Sequence, residues 1–360
     1  MKIVFFVHSL MSCWNHGNAH FLRGVVRELQ ERGHDVDVYE PAGGWSMTNL
    51  VEHQGHVAVD RFRERFPHLS STAYDPATID LDRVLDDADL VVVHEWNEPE
   101  LVERIGRACA ASDALVLFHD THHRAVTDPH QMARFDLSNY DGVLAFGSVI
   151  RDVYLDRGWT QRAWTWHEAA DTRIFRPRDE HPEADLVWIG NWGDGERTAE
   201  LDEYLLGPAR ALDLTGTIHG VRYPPAARRA IASSGLTFRG WIANHDVPAV
   251  FARHSVTIHV PRRPYARRMT GVPTIRVFEA LACGVPLVTA PWEDSEHLFR
   301  PGTDYLMAGS GSEMETHLKE VLNDAHLAAE LASNGLETIA ARHTCAHRVD
   351  ELLSICEELS

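Results

Sequence analysis

Five groups of residues in this 360-residue sequence have the types and spacing to do chemistry. The first is Thr274-Ile-Arg-Val-Phe-Glu-Ala-Leu-Ala-Cys-Gly-Val-Pro-Leu-Val-Thr289. There a carboxylate, Glu279, opens an apolar helical turn that ends at Gly284, and a short apolar run from Val285 to Thr289 follows. That reads as helix, glycine cap and buried parallel strand. Glu279 is therefore expected near a helix N-terminus, beside free backbone N–H groups that suit an anionic ligand. A carboxylate there can accept hydrogen bonds from a pair of ligand hydroxyls, as on a ribose. The same pattern also describes a plain helix-start acid.

The second group, His119-Asp-Thr-His-His123, follows an apolar run. Its imidazoles at i, i+3 and i+4 could bind zinc on a helix. Yet 23 histidines are spread through the chain, and no HExxH or distant carboxylate signature accompanies these. A catalytic or substrate-positioning histidine and plain surface histidines are the other readings. His119 is the residue of interest, because it stands where a strand ends and a cleft would begin. The third group, Gly190-Asn-Trp-Gly-Asp-Gly-Glu-Arg197, offers glycines for a tight turn over a phosphate and an arginine fork that matches one; a solvent loop is the alternative. The fourth, Arg262-Arg-Pro-Tyr-Ala-Arg-Arg268, is a basic island, either a solvated face or a local positive field that gathers an anion. The fifth, Ser12-Cys-Trp-Asn-His-Gly-Asn-Ala-His20, puts Gly17 and Asn18 between a strand and a helix, where a ligand can approach the backbone. It is not GxGxxG, so dinucleotide binding is not indicated.

These groups need a scaffold, and short continuous apolar runs supply one. Lys2–Val7, Asp35–Tyr39, Leu90–Val93, Ala114–Phe118 and Val143–Phe146 read as buried parallel strands. Phe21, Leu22, Val25, Val26 and Leu29 repeat at helical spacing between the first two, and Arg32-Gly33-His34 closes that helix. A second series comprises 185–190, Gly216–His219, Ser255–Val260 and Val285–Thr289. The polar, twice proline-broken stretch Arg176–Glu183 between the series reads as a linker. The expected fold class is α/β, two Rossmann-like doubly wound domains facing a cleft. The expected domains are 1–176 on the N-terminal side and 182–344 on the C-terminal side, with a terminal helix at 345–360 that packs back on the first.

Composition narrows the partners. A formal charge of −19 argues against a duplex nucleic-acid partner and against adhesion to an anionic membrane. No run has transmembrane length, and the apolar start at Met1–Val7 is too short for a signal peptide. Cysteines 13, 109, 283, 345 and 356 are odd in number and lack CxxC spacing, so neither a disulfide framework nor a cysteine metal site is indicated. A reducing cytoplasm is the expected compartment.

Four segments in order resemble one family, the GT-B glycosyltransferases of the group-1 (family 4) type, nearest the CgeB-like (spore maturation) branch. The glycine loop and helix from Gly17 to His34 resemble its first βα unit. Ala169-Ala-Asp-Thr-Arg-Ile-Phe-Arg-Pro177 is similar to its domain-joining segment, and Phe238-Arg-Gly240 to the approach to its base-binding loop, where Trp241 follows. Arg276-Val-Phe-Glu-Ala-Leu-Ala-Cys-Gly-Val-Pro286 resembles its E-A-x-A-x-G-x-P signature, with Arg276–Glu279 in the CgeB-like R-x-F-E form. The resemblance implies transfer of a sugar from a UDP- or GDP-linked donor, with retention and without a metal. The nucleotide-sugar is a substrate, and no cofactor is implied. Glu279 would bind the ribose hydroxyls, the loop Gly271–Ile275, with Thr274 and Ile275 at its end, would offer N–H groups to the diphosphate, and Arg197 would neutralise it as it leaves. His119 would face the donor sugar, while Gly17 and Asn18 would lie under the phosphates.

The sequence also departs from the family. An acid usually stands eight positions before the ribose acid, and Gly271 occupies that place here. Asp87-Ala-Asp89 resembles the Asp-x-Asp of metal-dependent transfer, but it precedes its strand and reads as a helix-to-strand loop. Two other functions share the fold: a catalytically silent nucleotide-sugar- or partner-binding protein, and a sugar-nucleotide epimerase. The acceptor, whether small molecule, glycan or protein, matches no motif; loops from Trp45 and Trp96 would shape its site.

Overall fold

The computed structural model describes residues 1–360. The chain forms two compact units, Met1–Glu168 with Cys345–Ser360, and Ala169–Thr344. It passes into the second unit ahead of the boundary expected at 176. Ala170 donates to the His343 carbonyl at 2.9 Å, and Ile174 and Phe175 are buried, so the segment before the proline-broken stretch belongs to the second unit.

The first unit holds a seven-stranded parallel sheet in the order β3-β2-β1-β4-β5-β6-β7. Its strands are β1 (Lys2–Phe6), β2 (Asp35–Pro41), β3 (Thr72–Tyr74), β4 (Leu90–His94), β5 (Leu115–Asp120), β6 (Gly142–Ala145) and β7 (Ala163–Thr165). Ile3 to Phe6, Leu90 to Val93 and Leu117–Phe118 are buried, and continuous apolar sequence is what a sheet covered on both faces requires. Each such large apolar side chain contributes about 1.5–3 kcal/mol on burial. The helix Ala19–Glu31 follows β1 and ends where Gly33 turns at φ 83°. The terminal helix Cys345–Leu359 belongs to this unit: Arg32 pairs with Asp350 at 2.5 Å, and the Trp166 indole donates to the Arg348 carbonyl at 2.8 Å.

The second unit holds a six-stranded parallel sheet in the order β10-β9-β8-β11-β12-β13. Here the strands are β8 (Ala184–Ile189), β9 (Gly216–His219), β10 (Thr237–Gly240), β11 (His254–His259), β12 (Leu287–Thr289) and β13 (Leu306–Met307). Leu186, Trp188, Ile218, Val256 and Val288 form the centre of its core.

Strand order reverses direction at β1/β4 in the first unit and at β8/β11 in the second. In open α/β sheets ligands bind outside the strand carboxyl ends at such points. Asp87 and Asp89 lie away from that end, in the loop entering β4, where Asp89 accepts from the backbone N–H of Lys2 at 2.6 Å.

Candidate functional site

At the second unit's reversal point, β8 leads into the Gly190–Arg197 loop and β11 ends at His259. The Arg197 guanidinium does not stand out as an open fork. Nη1 donates to the Val260 carbonyl at 2.8 Å, and Nη2 to the Asn191 carbonyl at 2.7 Å and its Oδ1 at 2.8 Å. Its carbon centre sits 5.1 Å over the Trp188 ring, and Nε is buried without a partner. Gly193, at φ 87°, closes over it: an added Cβ would lie 2.9 Å from Arg197 Cγ. Burial, then the charge of Arg262, lowers the Arg197 pKa to about 10, which leaves the group cationic at neutral pH. Arg197 is thus a buried positive charge that ties two strand ends together. The basic island beside it is partly neutralised, because Arg262 meets Glu196 at 3.2 Å and Arg263 meets Glu200 at 2.7 Å.

His259 is a residue that sequence reasoning missed. Its Nδ1 lies 2.9 Å from Thr289 Oγ1 and its Nε2 3.0 Å from Thr274 Oγ1. The Thr289 hydroxyl donates to the Ala290 carbonyl at 2.8 Å, so it accepts from Nδ1–H and leaves Nε2 to accept from Thr274. Burial lowers the His259 pKa to about 3, which keeps it in that neutral form. Its only sequence signal is a polar residue ending an apolar strand.

Thr274 stands at the N-cap position of the helix Ile275–Ala282, but its hydroxyl bonds His259 and not a helix N–H, so His259 holds the residue from which the helix starts. The expectation that Glu279 opens the helix needs correction. Ile275 opens it, and Glu279 lies one turn further along, facing inward with no exposed surface. The first-turn N–H groups therefore belong to Ile275, Arg276 and Val277. Arg276 donates to Glu279 across that turn and keeps about a quarter of its side chain in solvent. Ile275 is buried.

The glycine eight positions before Glu279 has a steric reason. Gly271 sits at φ 82°, and an added Cβ would lie 2.6 Å from Glu296 Cγ and 2.9 Å from its Oε1. Glu296 fills the space that a side chain at 271 would need. Trp241 follows β10 directly, half-buried, and its indole N–H is enclosed without an acceptor.

The first unit's reversal point holds a cluster of imidazoles. His94, the last residue of β4, pairs in register with His119, the penultimate residue of β5, and His119 Nδ1 lies 3.1 Å from His94 Nε2. His119 is 1% exposed and packs against Trp166 and Phe21, and its Nε2 and the His94 Nδ1 have no partner. The His16 and His8 rings meet edge to face at 4.9 Å. Burial holds all four neutral: the pKa of His8 falls to about 4, that of His119 to about 3, and those of His16 and His94 well below the usual range. The His122 and His123 rings lie tilted against each other at 4.0 Å, and no three His, Cys, Asp or Glu side chains in the chain converge as a metal ligand set. Gly17 leads into the helix Ala19–Glu31, and the amide of its N-cap Asn18 is buried with neither end partnered.

Two buried carboxyls lie beneath the histidines. Glu95 accepts from the Thr121 hydroxyl at 3.0 Å and stands 3.8 Å from Arg124, while Asp120 accepts from Tyr154 at 2.9 Å. Burial raises both, and the nearby Asp120 charge raises Glu95 further, to about 8.

Comparison with known proteins places this geometry. Residues 197–354 match a family described as glycosyl transferase-like. Among solved structures, the chain superposes on an alpha-glucosyltransferase bound to UDP and a 13-mer DNA, at TM-score 0.70 and 12% identity over 99% of each chain. HepE of Anabaena in complex with UDP gives TM-score 0.65 at 14% identity, covering 99% of this chain and all of that one. Sucrose-phosphate synthase of Thermosynechococcus elongatus gives 0.68 at 16%, covering 100% and 99%. The chain has the GT-B glycosyltransferase fold. The match in this GT-B chain covers most of the second unit and runs into the terminal helix, and it includes Arg197, Trp241, His259 and the Thr274–Glu279 turn. No curated protein sequence matches the chain. None of its helices is long and apolar enough to cross a membrane.

Proposed function

We propose that this chain transfers a sugar from a UDP- or GDP-linked donor to an acceptor hydroxyl, with retention, without a metal, and in the cytoplasm. The Thr274–Glu279 turn carries this reading. It joins a helix N-terminus, a buried carboxylate and its arginine to the strand end at the reversal point, within the segment that matches the family. In that reading the first-turn N–H groups of Ile275 and Arg276 meet the diphosphate, and Glu279 receives the ribose hydroxyls once Arg276 swings aside. Trp241 stacks on the base. Gly17 and Asn18, at a second helix N-terminus, take phosphate oxygens.

The acceptor oxygen attacks the anomeric carbon as the carbon–oxygen bond to the diphosphate breaks, and the acceptor proton leaves with the phosphate. The fixed charge of Arg197 stabilises the leaving group through space. His119, neutral at physiological pH, acts as a hydrogen-bonding group to the sugar and not as an acid. The R-x-F-E form of Arg276–Glu279 supports the CgeB-like branch, and the Glu296 carboxylate over Gly271 keeps an acid near the position where the family has one. UDP in complexes of the same fold supports the donor class.

One observation favours a second reading, a silent binder: both Nη atoms of Arg197 are already committed to the protein. Incubation with UDP- and GDP-sugars, with release of nucleoside diphosphate as the readout, separates the two. Slow hydrolysis of one donor supports the transferase. Binding of a nucleotide-sugar with no release from any donor would support the silent protein.

A further inference from the structure

The carboxyl end of the first unit's sheet exposes two tryptophans. Trp45 opens the helix that follows β2 and is 46% exposed, and Trp96 follows β4 and is 39% exposed. β2 and β4 are the two neighbours of β1, so the strands that carry them lie about 10 Å apart, two strand spacings. The β1 loop touches both: His8 lies 5.2 Å from Trp96, and Trp14 lies 5.0 Å from Trp45. One segment thus forms a shared wall under two aromatic platforms, at the reversal point where open sheets bind ligands.

Each platform also stands beside an N–H donor with no acceptor. The Trp14 indole N–H, in a residue 5% exposed and backed by the His53 ring, has no partner. Beside Trp96, the Arg124 guanidinium sits 4.4 Å over the ring, and its Nε is buried and unpaired. A buried donor left unmade is costly, and a ligand oxygen removes the cost. Flat aromatic faces next to unsatisfied N–H groups fit a sugar, whose C–H face is apolar and whose edge carries hydroxyl oxygens. An apolar chain would leave the donors unmatched, and a single-stranded nucleic acid would meet a chain of net charge −19.

We propose that the acceptor is a carbohydrate of at least two sugar units, one stacked on Trp96 and one on Trp45. This rests on the sugar-transfer reading, but it concerns a surface of the first unit alone.

The test is calorimetric titration of the full chain with neutral tetrasaccharides (malto-, cello-, manno- and chito-series), their monosaccharides, oligothymidylate, UDP and GDP. We expect one tetrasaccharide to bind saturably and its monosaccharide to bind more weakly. Trp96→Ala and Trp45→Ala should each weaken it by roughly tenfold, the Tyr variants should keep most of the affinity, and UDP affinity should not move. Trp45 is exposed enough that its variant folds even if loss of Trp96 disturbs Arg124. Silence of the whole saccharide series while UDP binds would overturn the proposal. So would saccharide binding indifferent to both tryptophans, or binding of oligothymidylate alone. Tryptophan-dependent saccharide binding with no affinity for either UDP or GDP would instead overturn the donor reading and leave this one standing.

Discussion

Arg276 closes over Glu279 one turn along the same helix, and the carboxylate beneath it has no exposed surface. In the proposed site a ribose would therefore compete with the arginine for the same acid, or share it. Removing the arginine takes a cationic partner away from a buried carboxylate. Arg276→Ala is expected to destabilise the chain by about 3 kcal/mol, the lower end for breaking a buried pair, because Arg276 keeps partial solvent contact. Urea unfolding measures it, and Arg276→Lys should recover only part, since an ammonium lacks the fork.

His119 is expected to matter for rate more than for donor affinity. His119→Ala should bind UDP normally and transfer sugar about 100-fold more slowly, the usual loss for one positioned polar group. With its pKa at about 3, His119 should contribute no limb to the rate profile between pH 5 and 8. A variant with full activity, or a wild-type limb that disappears in the variant, would contradict this assignment.

The histidine cluster sets an acid limit to stability. His8, His16, His94 and His119 are neutral when folded and gain protons on unfolding. For a base whose folded pKa is depressed, the unfolded chain binds more protons between the two pKa values. Stability should then fall as pH drops from the ordinary histidine value of 6.5 towards 3–4. Melting temperature against pH measures it. A His94→Gln, His119→Gln double variant should show a shallower acid limb than wild type.

Glu95 acts with the opposite sign. Its folded pKa is raised, so the folded state holds the proton that the unfolded state has lost between about 4.5 and about 8. Its contribution is complete below that window and erodes as pH rises through it. Glu95→Gln keeps the shape and removes the titration, so its stability relative to wild type should improve from pH 5 to pH 9. Chemical denaturation at the two pH values checks this.

Much of the scaffold was legible because buried parallel strands are continuous apolar runs. Lys2–Val7, Leu90–Val93 and Gly216–His219 appear as strands within a residue of where they were read, and Gly33 and Gly284 both turn at positive φ after a helix. The edge strands were not legible. Thr72–Tyr74, Ala163–Thr165, Thr237–Gly240 and Leu306–Met307 are two to four residues long and only partly buried, so they carry no hydrophobic run. The helix bearing Glu279 is legible as a helix but not its start, since Thr274 at the N-cap position is held by His259, fifteen residues away, and not by a local capping bond. The clustering of His8, His16, His94 and His119 depends on pairing of β1, β4 and β5, which spacing along the chain does not encode. Arg197 was legible as a cation, but its inward direction depends on the Val260 carbonyl of another strand end.

The central claim, that the Thr274–Glu279 turn receives a nucleoside diphosphate, is tested most directly by calorimetric titration of UDP and GDP into wild type, Glu279→Ala and Glu279→Gln. Loss of hydrogen bonds to a charged group is worth about 1.5–3 kcal/mol, roughly ten- to 150-fold in dissociation constant. One nucleotide should bind wild type, and both folded variants should weaken that binding within this range. Wild-type binding with unchanged affinity in both variants would contradict the claim and remove Glu279 from the site.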